Sequence, residues 1–446
     1  MKKENTWISW NENVKHSFTN SYDITTEEEF ADAIKNSDNV RFYGSKQSSS
    51  DIAAGTDSLI NIKNYNRIID VDKASKKITV QSGIELKDLL EKIESLDWCI
   101  PCLPDINTIT LGGALATGTH GTNGGLISSY MTSCRLIQAD GSIQVIDEKD
   151  MLMDAVRVSL GVLGAFSTIT LQCEDSYTLH LIEEPESDAV WTKNLSSYLS
   201  NHDFLRILWL PHTGMGYVIK GKKIPKDQHV EEDLGPAYLK NRRKASKFLY
   251  QLTKTAPWTI YFANKILYQR FFKSRKEHKG SLYQATVTKS RGSTLELAEW
   301  TVDFEKFPSL LKELSETINS FKNKSFIHIP MDVRFVDSDD SWLSNAYKRK
   351  TVTMGCVSRD ASSADSYEAF KTVEDIFLKY GGRPHWGKRF AAKDPELTKL
   401  YPKWNDFKDL RKSMDPTNKF LNKYLASIFS EKYNLWLKEY CLILME

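Results

Sequence analysis

Apolar residues in this chain recur with two periods, and the switches between them mark out its elements. In "TTEEEFADAIKNS" (25–37), Phe30, Ala33 and Ile34 fall on one helical face, and Thr26-x-x-Glu29 is a capping-box signal, so a helix is predicted. "ELKDLLEKIESL" (85–96) repeats the helical period. Between and after them the period shortens to two. "VRFYG", "SLINI" and "RIIDVDKASKKITVQSG" read as strands, the last a hairpin about a polar turn. "SCRLIQADGSIQVID" predicts a hairpin turning at Asp140-Gly141, and "LGVLGAFSTITLQCE" a turn of small residues feeding a β-branched strand. After about residue 175 the composition shifts. "HDFLRILWLPHTGMGYVIKG", "STLELAEWTVD", "FIHIPMDVRFV" and "KTVTMGCVS" predict strands. "KFPSLLKELSETINSF" and "SYEAFKTVEDIFLKYGG" predict helices, the second with a glycine stop, and a basic helical tail begins near "WNDFKDLRKSMDP". The chain is α+β in two parts, without repeats.

Composition narrows this little. The 446 residues suffice for two or three cores, and a net charge of +2 offers no global case for nucleic-acid binding. No secretory signal or uncharged run long enough to span a bilayer is visible, and six scattered cysteines predict a reducing compartment, so cytoplasm is the expected location. "WCIPC" (98–102) has the thioredoxin spacing but follows a helix and precedes Pro104, so no redox pair is expected. Residues 240–279 hold twelve Lys/Arg against one acid, interleaved with aromatics. That stretch fits contact with an anionic membrane surface, an RNA-binding strip or an inward-packing cap helix.

Three loops of small residues carry the chemistry: "YGSKQSSS", "LGGALATGTHGT" and "LGVLGAF". Glycine lets the main chain approach a ligand, and successive N–H groups form an anion-binding concavity. Neither G-x-G-x-x-G opening a helix nor a P-loop is present, so a dinucleotide would not be held in the Rossmann manner. No H-E-x-x-H or similar spacing appears, and no metal is expected.

"YGSKQSSSDIA", "TITLGGALATGTHGT" and "LGVLGAFSTITLQC" resemble the FAD-binding domain of the vanillyl-alcohol-oxidase superfamily. "WLPHT", "MDVRFVDSDDSWLS", "GGRPHWGKRF" and "MDPTNKFLNKYL" are similar, in the same order, to segments of its sugar-1,4-lactone oxidases. The resemblance implies a two-subdomain FAD-binding domain over 1–175, a substrate-binding cap over 176–400 and a segment, 401–446, returning to the first domain. It implies FAD contacts from Gly44, Ser45, Lys46, Gln47, Ser48 and Ser49, and from Gly112, Gly113, Ala116, Thr117, Gly118, Thr119, His120, Gly121 and Thr122. Gly161 and Gly164 would support the cofactor.

Many relatives link FAD covalently to a histidine in the first loop. Gln47 stands at the matching position and cannot form that bond, so non-covalent FAD is expected. Lys388 of "HWGK" matches the family's lysine beside the flavin. Asp332 and Arg334 share one strand face and match its Glu-x-Arg substrate pair, with an acid one methylene shorter. His385 and His120 are candidate bases. The implied reaction is oxidation of a secondary alcohol of a sugar lactone, with oxygen or another acceptor reoxidising the flavin. Alditol oxidation and an idle flavin-binding protein are the alternatives.

Overall fold

The computed structural model describes residues 5–226, 256–286, 296–321, 331–358 and 364–431, together with 244, 248, 249 and 252. The rest of the predicted strand at 326–336, parts of the basic stretch 240–279 and residues 432–446 lie outside the described residues.

The predicted first helix forms at Glu27–Lys35. Thr26 Oγ1 accepts from the Glu29 amide and the Glu29 carboxylate accepts from the Thr26 amide, which satisfies main-chain donors that a helix start leaves open. Its apolar face packs on a three-stranded parallel sheet, Asn20–Asp23, Ser58–Asn61 and Val40–Tyr43, with Ser58–Asn61 in the centre. Fully burying a side chain such as Phe30 or Ile34 there contributes roughly 1.5–3 kcal/mol. A second sheet is antiparallel and five-stranded, in the order Ile143–Asp147, Met131–Ile137, Ala165–Gln172, Lys77–Gln81, Ile68–Asp72. Both predicted hairpins lie in it, and Gly141 takes φ +86° at the turn.

One expectation changes. The glycine-rich stretch at 111–122 is not all loop, because Leu111–Ala116 forms a short helix. Leu111 and Leu115, four apart, both bury. The helix start is pinned to the preceding segment by the amides of Leu111 and Gly112, bonded to Ile84 O and Ser82 O. A Cβ on Gly112 would come within 3.0 Å of Ser82 Cβ. Low intrinsic helix propensity yields here to tertiary contact.

The later part of the chain builds an eight-stranded antiparallel sheet in the order Lys276–Ser281, Thr178–Ser187, Met215–Ile224, Phe204–Leu210, Met331–Val336, Thr351–Ser358, Glu296–Asp303, Arg383–Pro384. Alternation gives it two different faces. Leu205, Ile207, Trp209, Met331, Val333, Phe335, Ala298, Trp300, Val302, Val352 and Met354 form an apolar core with helices Asp188–Asn201, Phe307–Ser320 and Ala364–Lys379. Arg206, Leu208, Asp332, Arg334, Glu299 and Gly355 alternate with them and line a cavity.

After residue 400 the chain packs back on its first hundred residues. The Val40 amide donates to Lys419 O at 2.9 Å, and Asn422 Nδ2 donates to Asp51 O at 2.6 Å. Trp404 stacks on Trp386, with ring centroids 6.0 Å apart.

Candidate functional site

A cavity of about 440 Å³ has walls from three regions far apart in sequence. Residues 41–49, 110–120 and 160–166 contribute most of the small-sided wall. Arg206, Leu208, Asp332, Arg334 and Gly355 come from the large sheet, and His385, Gly387 and Lys388 from the segment after its last strand. That segment is tied to the first loop: the Ser49 amide donates to Gly387 O at 2.9 Å, and Ser50 Oγ to Trp386 O at 3.1 Å.

Of the residues singled out in the sequence, Gly44, Ser45, Lys46, Gln47, Ser48, Ser49, Gly112, Gly113, Ala116, Thr117, Thr119, His120, Gly161 and Gly164 line this cavity, as do Asp332, Arg334, His385 and Lys388. Gly118, Gly121 and Thr122 are not on its wall. Gly121 packs beneath it, where a Cβ would sit 2.4 Å from Leu103 O, and its amide donates to Cys102 Sγ. Thr122 Oγ1 donates to Leu205 O and accepts from the Phe335 amide, joining the loop to the large sheet.

The wall suits a phosphorylated, polar cofactor. The Ser49 and Ser82 hydroxyls are buried, border the cavity and have no hydrogen-bond partner among the described residues, so a ligand there would satisfy them. Lys46, at φ +55°, and Gly161, at φ +64°, both on the wall, bend the main chain into left-handed turns. The volume falls in the roughly 300–1,000 Å³ range of small-molecule sites.

The large sheet supplies two charge groups. Leu208, Asp332, Gly355 and Glu299 are successive cross-strand partners in one row, and Arg206 pairs with Arg334 in the next. Arg334 donates from Nε to Asp332 Oδ2 at 2.6 Å and from a terminal nitrogen to Asp105 Oδ2 at 2.7 Å. Arg206 bridges the same two acids with four bonds of 2.8 Å. Burial works against the Arg334 charge, but Asp105, Asp332 and Glu299 raise its pKa above the usual arginine value. Among the described residues Asp332 Oδ1 accepts only from Arg206 Nε, which leaves it a lone pair.

The second group centres on Glu299. Its carboxylate, 4% exposed, takes Lys388 Nζ at 2.5 Å on one oxygen and His120 Nε2 at 2.6 Å on the other. Burial alone would push this carboxyl up; Lys388 and His120 overcome it and hold it well below the usual range. His385 lies beside this group, its ring centroid 5.8 Å from that of His120. Burial pushes His385 down to about 3, so its ring is neutral at neutral pH. Its Nδ1 accepts from the Gly387 amide at 3.1 Å, which places the ring proton on Nε2.

His120, Glu299 and His385 bring ligand atoms within 4.8 Å of one another. A cation among them would need the His385 Nε2 lone pair and would sit beside the Lys388 ammonium. The donor set favours internal pairing over metal ligation.

Sequence reading missed Glu299, Arg206, Asp105 and Arg41, which all border the cavity. A signal existed for two: Arg206 stands alone in the apolar run "FLRILWL", and Glu299 alternates with buried residues in "LELAEWTVD". The "WCIPC" thiols are both buried, and burial pushes Cys99 and Cys102 up to about 12, opposite to a redox-active thiol.

Comparison with known proteins agrees with the geometry. Residues 24–147 match an FAD binding domain, and residues 169–428 match the D-arabinono-1,4-lactone oxidase family. L-gulonolactone oxidase of Mus musculus is 29% identical over 401 residues, covering 87% of this chain and 89% of that protein. L-gulono-1,4-lactone dehydrogenase of Mycobacterium tuberculosis is 29% identical over 418 residues, covering 91% and 94%. The fold is shared with cholesterol oxidase of Brevibacterium sterolicum, at TM-score 0.78 and 13% identity over 96% of this chain and 97% of that one. With more than half its length matching that one family behind an FAD-binding domain, the chain belongs to the D-arabinono-1,4-lactone oxidase family.

Proposed function

We propose that this protein oxidises a secondary alcohol of a sugar 1,4-lactone with FAD, held non-covalently. The observation that carries this is the single cavity bordered both by the small-sided loops and by Lys388, Arg334 and Asp332. Bound FAD supplies a hydride acceptor at N5. In this reading Gly44–Ser49, Gly112, Gly113, Ala116, Thr117, Thr119, His120, Gly161 and Gly164 cradle it, within a cofactor part at 1–175 joined by the described chain after residue 400, while 176–400 presents the substrate wall.

The arginines, fixed by Asp105 and Asp332, donate to lactone oxygens. Asp332 Oδ1 uses its remaining lone pair to accept the reacting hydroxyl and then its proton. The Lys388 ammonium, aimed by Glu299, would present a fixed cation to bound FAD, and a preorganised cation would require no reorganisation when negative charge forms beside it. His385 donates from Nε2 to orient a substrate or flavin oxygen; a neutral ring with its proton there is a poor base. The shorter Asp332 carboxyl leaves room beside Gly355 for a lactone ring.

Mixing the oxidised protein anaerobically with L-gulono-, L-galactono- and D-arabinono-1,4-lactone should bleach the flavin. Bleaching by xylitol alone would assign alditol oxidation, and none with any of them would leave an idle flavoprotein. Oxygen consumption during turnover tests oxygen as the acceptor. Trichloroacetic acid should release the yellow colour, because Gln47 offers no linkage; a yellow pellet would refute this.

No described helix is long and apolar enough to cross a membrane. Helix Ile260–Phe271 nonetheless exposes an apolar stripe, Phe262 and Ile266, continued by Trp258 one turn earlier, beside exposed Lys265 and Arg270. Peripheral contact of this stripe with an anionic membrane is part of the proposal. Co-sedimentation with phosphatidylserine vesicles, lost in Phe262→Ser/Ile266→Ser, tests it.

A further inference from the structure

Arg41 lies on the edge strand Val40–Tyr43 of the parallel sheet and borders the cavity, yet it is 3% exposed and has no carboxylate partner among the described residues. All its bonds go to main-chain carbonyls. Nε donates to Ile52 O at 3.0 Å, one terminal nitrogen to Gly161 O at 2.8 Å and Phe420 O at 2.9 Å, the other to Leu160 O at 2.8 Å. Those carbonyls belong to the segment after the first loop, the 160–161 turn and the returning C-terminal segment. A single guanidinium therefore gathers three separate pieces of the cradle around one positive charge.

That charge is not balanced locally. Burial alone acts on it, pulling its pKa down to about 9, whereas Arg334 in the same cavity is matched by acids. A buried, unpaired cation is costly unless an anion reaches it. In an isoalloxazine–ribityl–diphosphate–adenosine ligand, the diphosphate alone carries permanent negative charge. Resting on the reading of the cavity as an FAD site, we propose that Arg41 is the counter-charge for the cofactor's diphosphate and, through the carbonyls it holds, couples cofactor binding to docking of the Phe420 segment. It is a positioning residue, acting on affinity rather than on the reacting atoms.

The test is the ratio of FAD to riboflavin affinity in apoprotein, read by flavin fluorescence, because riboflavin lacks the phosphates. Hydrogen bonds and contacts to a charged group are worth roughly 1.5–3 kcal/mol, so Arg41→Met should lower that ratio at least about tenfold. Arg41→Lys, which keeps the charge and loses the fork, should hold it within about threefold of wild type. Equal losses for both ligands, or a lysine variant as impaired as the methionine one, would overturn the proposal. Should Arg41→Met not fold, inorganic diphosphate added to wild-type apoprotein decides. It should raise the melting temperature and compete with FAD but not with riboflavin; no competition overturns the assignment. Wild-type apoprotein that binds no FAD would instead sink the reading of the cavity.

Discussion

Replacing Glu299 by glutamine removes one charge from the centre of the site while leaving its shape nearly intact. The carboxylate is fully enclosed and holds Lys388 at 2.5 Å and His120 at 2.6 Å. With charge centres about 4 Å apart and an effective dielectric of about 20, the attraction between Glu299 and the Lys388 ammonium is about 4 kcal/mol before desolvation is subtracted. Removing one partner of a buried pair typically costs about 3–5 kcal/mol, and glutamine recovers part of this by hydrogen bonding. We expect a net loss of about 3 kcal/mol, a fall of roughly 3–6 °C in the apoprotein's melting temperature.

The pH dependence separates charge from packing. The folded-state pKa of Glu299 is depressed, so its contribution is full above the ordinary carboxyl value of 4.5 and is lost as pH falls through the folded value. Wild type and Glu299→Gln should therefore differ in full at pH 6–7, and the difference should shrink progressively as pH falls below 4.5 towards the depressed folded value. Flavin reduction by lactone at pH 7 should slow at least about tenfold, since the Lys388 ammonium loses its anchor and each 1.4 kcal/mol is a factor of ten. Equal melting temperatures at pH 7, or a difference undiminished in acid, would refute the reasoning.

Other outcomes follow from the same contacts. Lys388→Met should leave FAD bound but cut flavin reduction by about 10²-fold or more, measured by anaerobic stopped flow. Asp105→Asn frees donors of Arg206 and Arg334 from one acid, and should change KM for the lactone several-fold more than FAD affinity. Because burial lowers the His385 pKa, its neutral form stabilises the fold above about pH 6.5, and that contribution is lost progressively as pH falls towards 3. His385→Phe should flatten the decline in melting temperature between pH 6 and 4. Gly121→Ala forces a Cβ to 2.4 Å from Leu103 O and should cost at least about 1–3 kcal/mol, visible as a lowered melting temperature.

The sequence by itself determined most of the local structure. The capping box at Thr26 and Glu29, the hairpin at Gly141 and the alternation through "MDVRFV" depend on neighbours within a few residues, and local pattern sufficed to place them. The loop residues were legible because their small side chains form a recurring pattern, whereas the "HWGK" lysine was legible only through the family resemblance. What surrounds them was not. Glu299 faces Lys388 and His120 only because the strands holding Glu299 and Asp332 flank the same partner, Thr351–Ser358, leaving Gly355 between the two acids. Asp105 reaches both arginines across 101 and 229 residues. Such pairings are set by strand order and register, which are fixed by burial across the whole sheet rather than by nearby residues. The helix at Leu111–Ala116 shows the same limit: glycines that locally favour a loop are held helical by carbonyls of residues 82 and 84. Tertiary structure thus decided the electrostatics of the site, because charge depends on what lies within a few ångströms and not on what lies within a few residues.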